Sequence, residues 1–177
     1  MGRGGRSLMV VGNTVYVATE KGLYRSEDGS ESWELLPDLR DSTETLVMAG
    51  DVLYAGTVNG ILRSTDRGAS WQGVYSGGSV VGLAVVGKAI YALVWSKGNS
   101  GICCSTDGGN TWQSLKIGIY NRVIKALVGC GDALYVGTDG GLFCAEFGKS
   151  GSGVSPDVPH DLKHLVQGML CLMKRCS

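Results

Sequence analysis

The chain has 177 residues, and its sixteen basic and sixteen acidic side chains cancel, so no long-range field draws it to nucleic acid or to an anionic membrane. Gly supplies 29 residues while only 18% are charged, a composition that suits many tight turns between short strands and disfavours long helices. No stretch approaches the ~20 apolar residues of a membrane span, so membrane insertion is not expected.

The start, Met1-Gly2-Arg3-Gly4-Gly5-Arg6, is basic, but the apolar run that follows is only Leu8 to Val11. A signal h-region needs roughly 7–15 apolar residues, and Arg6 stands where a myristoylation pattern wants Ser or Thr. The expected location is cytoplasmic.

From here the chain repeats. Thr14-Val15-Tyr16-Val17-Ala18-Thr19 aligns with Val52-Leu53-Tyr54-Ala55-Gly56-Thr57, with Ala89-Ile90-Tyr91-Ala92-Leu93-Val94 and with Ala133-Leu134-Tyr135-Val136-Gly137-Thr138. Downstream, Gly22-Leu23-Tyr24-Arg25-Ser26 aligns with Gly60-Ile61-Leu62-Arg63-Ser64, Gly101-Ile102-Cys103-Cys104-Ser105 and Gly141-Leu142-Phe143-Cys144-Ala145. Upstream of each Tyr run lies another apolar stretch, beginning at Leu8, Leu46, Val80 and Val123. Each unit therefore reads as four short strands separated by turn residues. The first two strands meet at Gly12-Asn13, Gly50-Asp51, Gly87-Lys88 and Gly131-Asp132, pairs that suit two-residue hairpins. One such sheet cannot bury both of its faces, but sheets stacked about an axis bury them against one another. The expected fold is all-β: a β-propeller-type array of four four-stranded antiparallel blades, at about residues 7–38, 44–76, 79–117 and 122–147.

Between the third and fourth strands the first three units carry a shared turn. Ser64, Asp66, Gly68, Ser70 and Trp71 fit S-x-D-x-G-x-[ST]-W, as do Ser105, Asp107, Gly109, Thr111 and Trp112. Ser26, Asp28, Ser32 and Trp33 fit it too, with Ser30 in place of the Gly. The Asp carboxylate can accept bonds from its own turn, and the Trp ring buries area under the hairpin, so this Ser-Asp turn is expected to be structural. It resembles the BNR or Asp-box repeat of the sialidase-like propellers. The wider unit resembles the photosystem II assembly-factor and sortilin-like branch, over roughly residues 7–147. The resemblance implies a propeller and, for the assembly-factor branch, a protein partner.

Catalytic groups are not found. Catalytic sialidases combine an Arg triad, a Tyr/Glu nucleophile pair, an Asp acid and an F/Y-R-I-P segment; here Tyr24-Arg25 is followed by Ser26. Arg25 and Arg63 share one repeat slot, so blade architecture explains them better than a substrate clamp. Gly148-Lys149-Ser150 echoes a P-loop, but Phe143 stands where its leading Gly belongs. No cofactor or metal is expected. Cys103 and Cys130 fall in apolar slots as small hydrophobes, and His160, His164, Cys171 and Cys176 fit no strong zinc spacing.

The fourth unit departs from the pattern after Phe143, where Ala145-Glu146-Phe147-Gly148 replaces the Ser-Asp turn. The expected blade is incomplete there, followed by a Gly/Ser linker over 148–156. Leu162, Leu165, Val166, Met169, Leu170 and Met173 then share one helical face, which predicts a short amphipathic helix over 157–176.

Turns in an up-and-down blade alternate between its two ends. The Ser-Asp turns share one end with the short hairpins, and the opposite end collects what varies. Blade three carries four extra residues there, since Tyr91 to Ser105 is longer than Tyr54 to Ser64 by that amount. The candidate binding face is Arg40, Trp95, Lys97, Asn99, Tyr120 and Arg122, because Trp, Tyr and Arg dominate binding hot spots. The expected function is a non-catalytic protein-interaction or assembly scaffold, with self-association to complete a ring. The alternatives are a glycan-binding or glycan-hydrolysing sialidase-like protein and an inactive partial propeller.

Overall fold

The computed structural model describes residues 4–39, 42–115 and 123–146. All of its regular structure is β. Blade one is the sheet β1 (Gly5–Val11), β2 (Thr14–Thr19), β3 (Gly22–Ser26) and β4 (Glu34–Leu35), and blade two is β5 (Thr43–Ala49), β6 (Val52–Thr57), β7 (Gly60–Ser64) and β8 (Gln72–Tyr75). Blade three is β9 (Ser79–Val86), β10 (Ala89–Ser96), β11 (Asn99–Ser105) and β12 (Gln113–Leu115). Blade four holds three strands among the described residues, β13 (Ile124–Cys130), β14 (Ala133–Thr138) and β15 (Gly141–Glu146). Every strand pairs antiparallel with its sequence neighbour in the same sheet. The expected linker over 148–156 and helix over 157–176 lie outside the described residues.

The Gly at each first hairpin explains the register. Gly12, Gly50, Gly87 and Gly131 hold φ between 57° and 61°, while their polar neighbours do not enter the positive region. Positive φ at the first turn residue alone is the type II′ pattern, whose twist matches the flanking strands. The second turn is closed by a threonine. Thr19, Thr57 and Thr138 each donate a side-chain bond to the carbonyl of Gly22, Gly60 and Gly141, at 2.9, 3.2 and 3.0 Å. Lys21, Asn59 and Gly140 return a backbone N–H to the same hydroxyls at 3.1 Å.

Blade three has Val94 in the threonine slot, and its strands do not turn there. The ladder continues through Val94↔Gly101, Trp95↔Ser100 and Ser96↔Asn99 before turning at Lys97-Gly98. The four extra residues are thus additional rungs on a hairpin, where the sequence suggests a loop.

Alternation along the strands builds three cores, one in each junction. Tyr16, Ala18, Leu23, Leu36 and Leu39 of blade one meet Leu46, Leu53 and Ala55 of blade two. Tyr54 and Ile61 of blade two meet Val80, Leu83, Ile90, Ala92, Val94 and Cys103 of blade three. Ala84, Val86, Tyr91, Leu93, Ile102 and Cys104 meet Ile124, Leu127, Leu134, Val136, Phe143 and Ala145 of blade four. Each strand alternation therefore serves two neighbours, one per face.

Candidate functional site

The Ser-Asp turns are closed networks. Ser64 Oγ donates to Asp66 Oδ1 at 2.7 Å and accepts the Gly68 N–H at 2.7 Å; Ser70 gives its N–H to Oδ1 at 2.9 Å and its hydroxyl to Oδ2 at 2.5 Å. Ser105, Asp107, Gly109 and Thr111 repeat the pattern at 2.8, 2.8, 2.9 and 2.6 Å. In blade one Ser26, Asp28, Ser30 and Ser32 do the same, with Ser30 held at a φ of 81° where the other turns have Gly. The Trp71 and Trp112 rings are half-buried at the rim of the cores rather than fully covered. Trp71 and Trp112 each donate their indole N–H to a turn carbonyl, of Gly68 and Gly109, at 3.1 and 3.0 Å.

Bonds from the Ser70 and Thr111 side chains, then their backbones, then Ser64 and Ser105, lower the Asp66 and Asp107 carboxyls from an ordinary 3.8 to about 2. Asp28 is held lower still by the same contacts from Ser32 and Ser26. A carboxyl whose folded-state value is depressed contributes stability that is complete above its unfolded value and lost as pH falls through the folded one. Acid titration of the melting temperature should therefore show a loss between about pH 4 and pH 2. An Asp66→Asn, Asp107→Asn double variant should start lower at pH 7 and lose less across that window. An unchanged acid slope in the double variant would contradict the assignment.

The turns of blades two and three are each also gripped by the preceding blade. Tyr16 Oη and Arg25 Nη1 of blade one both donate to the Arg67 carbonyl of blade two, at 3.1 and 3.2 Å. Tyr54 Oη and Arg63 Nη1 of blade two both donate to the Gly108 carbonyl of blade three, each at 2.9 Å. Arg67 and Gly108 occupy the same turn position. Each Arg is braced from its own blade, Arg25 by Glu34 at 2.9 Å and Arg63 by Gln72 at 2.8 Å. Burial raises the Tyr16 and Tyr54 phenols even though the neighbouring arginines pull them down, so both remain donors at neutral pH. Sequence reasoning places Arg25 and Arg63 in the blade architecture but misses this clasp, whose signal is the joint recurrence of Tyr and Arg opposite the turn. Blade four lacks the turn among its described residues, and blade three has Cys104 in the Arg slot: both halves of the device change at one junction.

At the opposite end of the sheets lie three of the six candidate face residues. Trp95, Lys97 and Asn99 all sit on the elongated β10–β11 hairpin, with Trp95 37% exposed and Lys97 at a φ of 51° in the turn. Arg40, Tyr120 and Arg122 lie outside the described residues. Two further exposed apolar side chains share this end, Val58 in the β6–β7 turn and Val123 ahead of β13. Ser100, opposite Trp95, accepts the Ile124 N–H on its hydroxyl at 3.2 Å and ties the hairpin to blade four. Near this end a one-residue bulge interrupts the first strand of every blade, a feature the sequence reading misses. The Arg6 and Glu44 bulges of blades one and two are joined at 2.8 Å.

Among solved structures the chain resembles an ancestral GH74 enzyme, with 19% identity and a TM-score of 0.65 over 79% of this chain and 22% of that one. It resembles the extracellular domain of a hybrid two-component system from B. thetaiotaomicron, with 19% identity and a TM-score of 0.66 over 82% and 21%. It also resembles YCF48, solved bound to a D1 peptide, with 20% identity and a TM-score of 0.60 over 82% and 50%. The fold is that of a partial β-propeller. The chain spans about a fifth to a half of the length of these structures. No family model and no curated protein matches it.

Proposed function

We propose that the chain is a non-catalytic protein-interaction scaffold built on blades of the BNR or Asp-box type, and that it binds a peptide segment of its partner at the end carrying the β10–β11 hairpin. The observation that carries the reading is Trp95, a large ring left exposed on two extra rungs of rigid ladder. Function concentrates on variable elements above a fixed scaffold, and an exposed ring on a strand meets a ligand without first losing loop entropy. The Ser-Asp turns support the same reading, because their carboxylates are spent on their own backbone and hydroxyls. YCF48, of similar fold, is solved with a peptide bound. Self-association of the open blade array belongs to the same proposal.

A glycan is the alternative ligand, since an exposed indole also stacks on a sugar face. Peptide and glycan arrays probed with the full chain separate the two. Trp95→Ala, Tyr120→Ala and Arg122→Ala should each weaken peptide binding by at least about fivefold, the scale of a 1 kcal/mol interface residue. Asn13→Ala, at the Ser-Asp end, should leave it unchanged. Equal loss in Asn13→Ala would move the site to the other end, and glycan binding that survives Trp95→Ala would sink both forms of the proposal.

A further inference from the structure

At the end that carries the β10–β11 hairpin, charge is balanced over blades one and two and unbalanced over blades three and four. The bulge in the first strand of each blade places Arg6, Glu44, Val81 and Lys125 in equivalent positions, from blade one to blade four. Arg6 reaches Glu20 at 3.2 Å and Glu44 at 2.8 Å, and Ser42 donates its hydroxyl to Glu44 at 2.6 Å. Lys125 is exposed, as is Lys97 in the hairpin turn. Neither lysine has a carboxylate partner among the described residues. Asp139, the blade-four carboxylate at this end, has one oxygen committed to the Val123 N–H at 3.2 Å.

The same junction aims Trp95. Tyr91, Leu93 and Ile102 pack in the core shared with blade four, so strand alternation turns Trp95 and its cross-strand partner Ser100 to that face as well. The Ser100 hydroxyl, which accepts the Ile124 N–H at 3.2 Å, fixes this direction. Trp95 thus leans toward the start of β13, where Val123 is exposed and Lys125 follows Ile124 in the chain.

These groups are donors. Trp71 and Trp112 give their indole N–H to turn carbonyls, whereas that of Trp95 has no acceptor among the described residues. Ser100 accepts on its oxygen and keeps its own proton to give. Lys97 and Lys125 add ammonium groups, which donate only. A ligand that complements them brings negatively charged acceptors together with an apolar group for the ring. A neutral sugar supplies no charge to match the two lysines.

We propose that the partner segment bound at this end is an acidic peptide, laying an apolar side chain on Trp95 and an Asp or Glu carboxylate against Lys97 and Lys125. The inference rests on the Trp95 reading above and adds the charge of the partner. The chain as a whole is neutral, so the attraction is local and fades beyond a Debye length, about 8 Å at physiological salt. Complementary charge of this kind sets register and partner choice more than raw affinity.

The test probes the full chain against an immobilised peptide array in which each sequence stands in matched versions, with Asp and Glu, with Asn and Gln, and with Lys at the same positions. The wild type should retain acidic versions over amide and basic ones, and high salt should erase the difference. Lys97→Gln and Lys125→Gln should each weaken the best acidic peptide by about twofold to fivefold in fluorescence anisotropy, the scale of an exposed ion pair. Lys97→Glu with Lys125→Glu should reverse the preference toward the basic version. Lys88→Glu, a charge reversal at the Ser-Asp end, should leave it unchanged. All three lysines are exposed, so these variants should keep the wild-type circular dichroism and melting temperature. Binding indifferent to the acidic-to-amide change, yet removed by Trp95→Ala, overturns the charge assignment and leaves the Trp95 face standing. Acidic-peptide binding that survives Trp95→Ala overturns both. An array that retains no peptide, or an acidic preference that Lys88→Glu reduces as much as the double reversal does, would overturn the proposal as well.

Discussion

Gly60→Ala should cost at least about 3 kcal/mol, whereas Gly101→Ala, in the same slot of the next blade, should stay within about 0.5 kcal/mol. Gly60 opens β7 at a φ of 142°, and a Cβ there would lie 1.9 Å from the Tyr75 carbonyl oxygen and 2.8 Å from its carbon. Both atoms are backbone at the end of β8, so relief requires pulling the outer strand off its sheet. Gly22 repeats the situation, with the Leu39 carbonyl oxygen 2.0 Å from its would-be Cβ. Gly101 lies within the elongated hairpin, has no positive φ, and has nothing within 4 Å of the added carbon. Urea denaturation of the two variants compares identical chemistry in two settings. Equal destabilisation would mean that β8 does not close over Gly60.

The clasp should account for the second large effect. Tyr54 is 2% exposed, and its ring belongs to the junction core of blades two and three while its hydroxyl reaches the Gly108 carbonyl. Tyr54→Ala should cost about 3–5 kcal/mol, the range for removing a buried aromatic ring. Tyr54→Phe should cost only about 1 kcal/mol, because Arg63 still donates to the same carbonyl. Tyr54→Phe with Arg63→Ala should exceed the sum of the single losses, since the carbonyl then has neither side-chain donor. Strict additivity in that cycle would show the two donors to be independent.

The strands were legible in the sequence because each blade repeats the same short apolar runs between turn residues, and a sheet covered on both faces by different neighbours keeps apolar residues at successive positions. The hairpin glycines were legible for a similar reason: a two-residue turn needs positive φ, and little else supplies it cheaply. The clasp was less so. Tyr16 and Arg67 are 51 residues apart, and a bond between blades leaves no local spacing to read. The hairpin was half legible. Its four extra residues are plain from the spacing of Tyr91 and Ser105, but their becoming ladder depends on Val94 lacking the hydroxyl that closes the turn after Thr19, Thr57 and Thr138. Three of the six candidate binding residues share that hairpin. What joins them to a ligand is a property of the partner, which the chain's own periodicity does not encode.

Because every clasp runs from one blade to the turn of the next, the array has a direction along which order is passed. Repeat arrays behave as coupled neighbours in a row, each stabilised by the one beside it. The last coupling differs from the others: Cys104 replaces the arginine, and blade four has no Ser-Asp turn among its described residues. Local opening should therefore start at blade four and travel backward, and native-state amide exchange should rank β13 and β14 as less protected than β6 and β10. A protease acting on the rare open forms would then trim the molecule from one end, leaving the two clasped junctions as the longest-lived fragment.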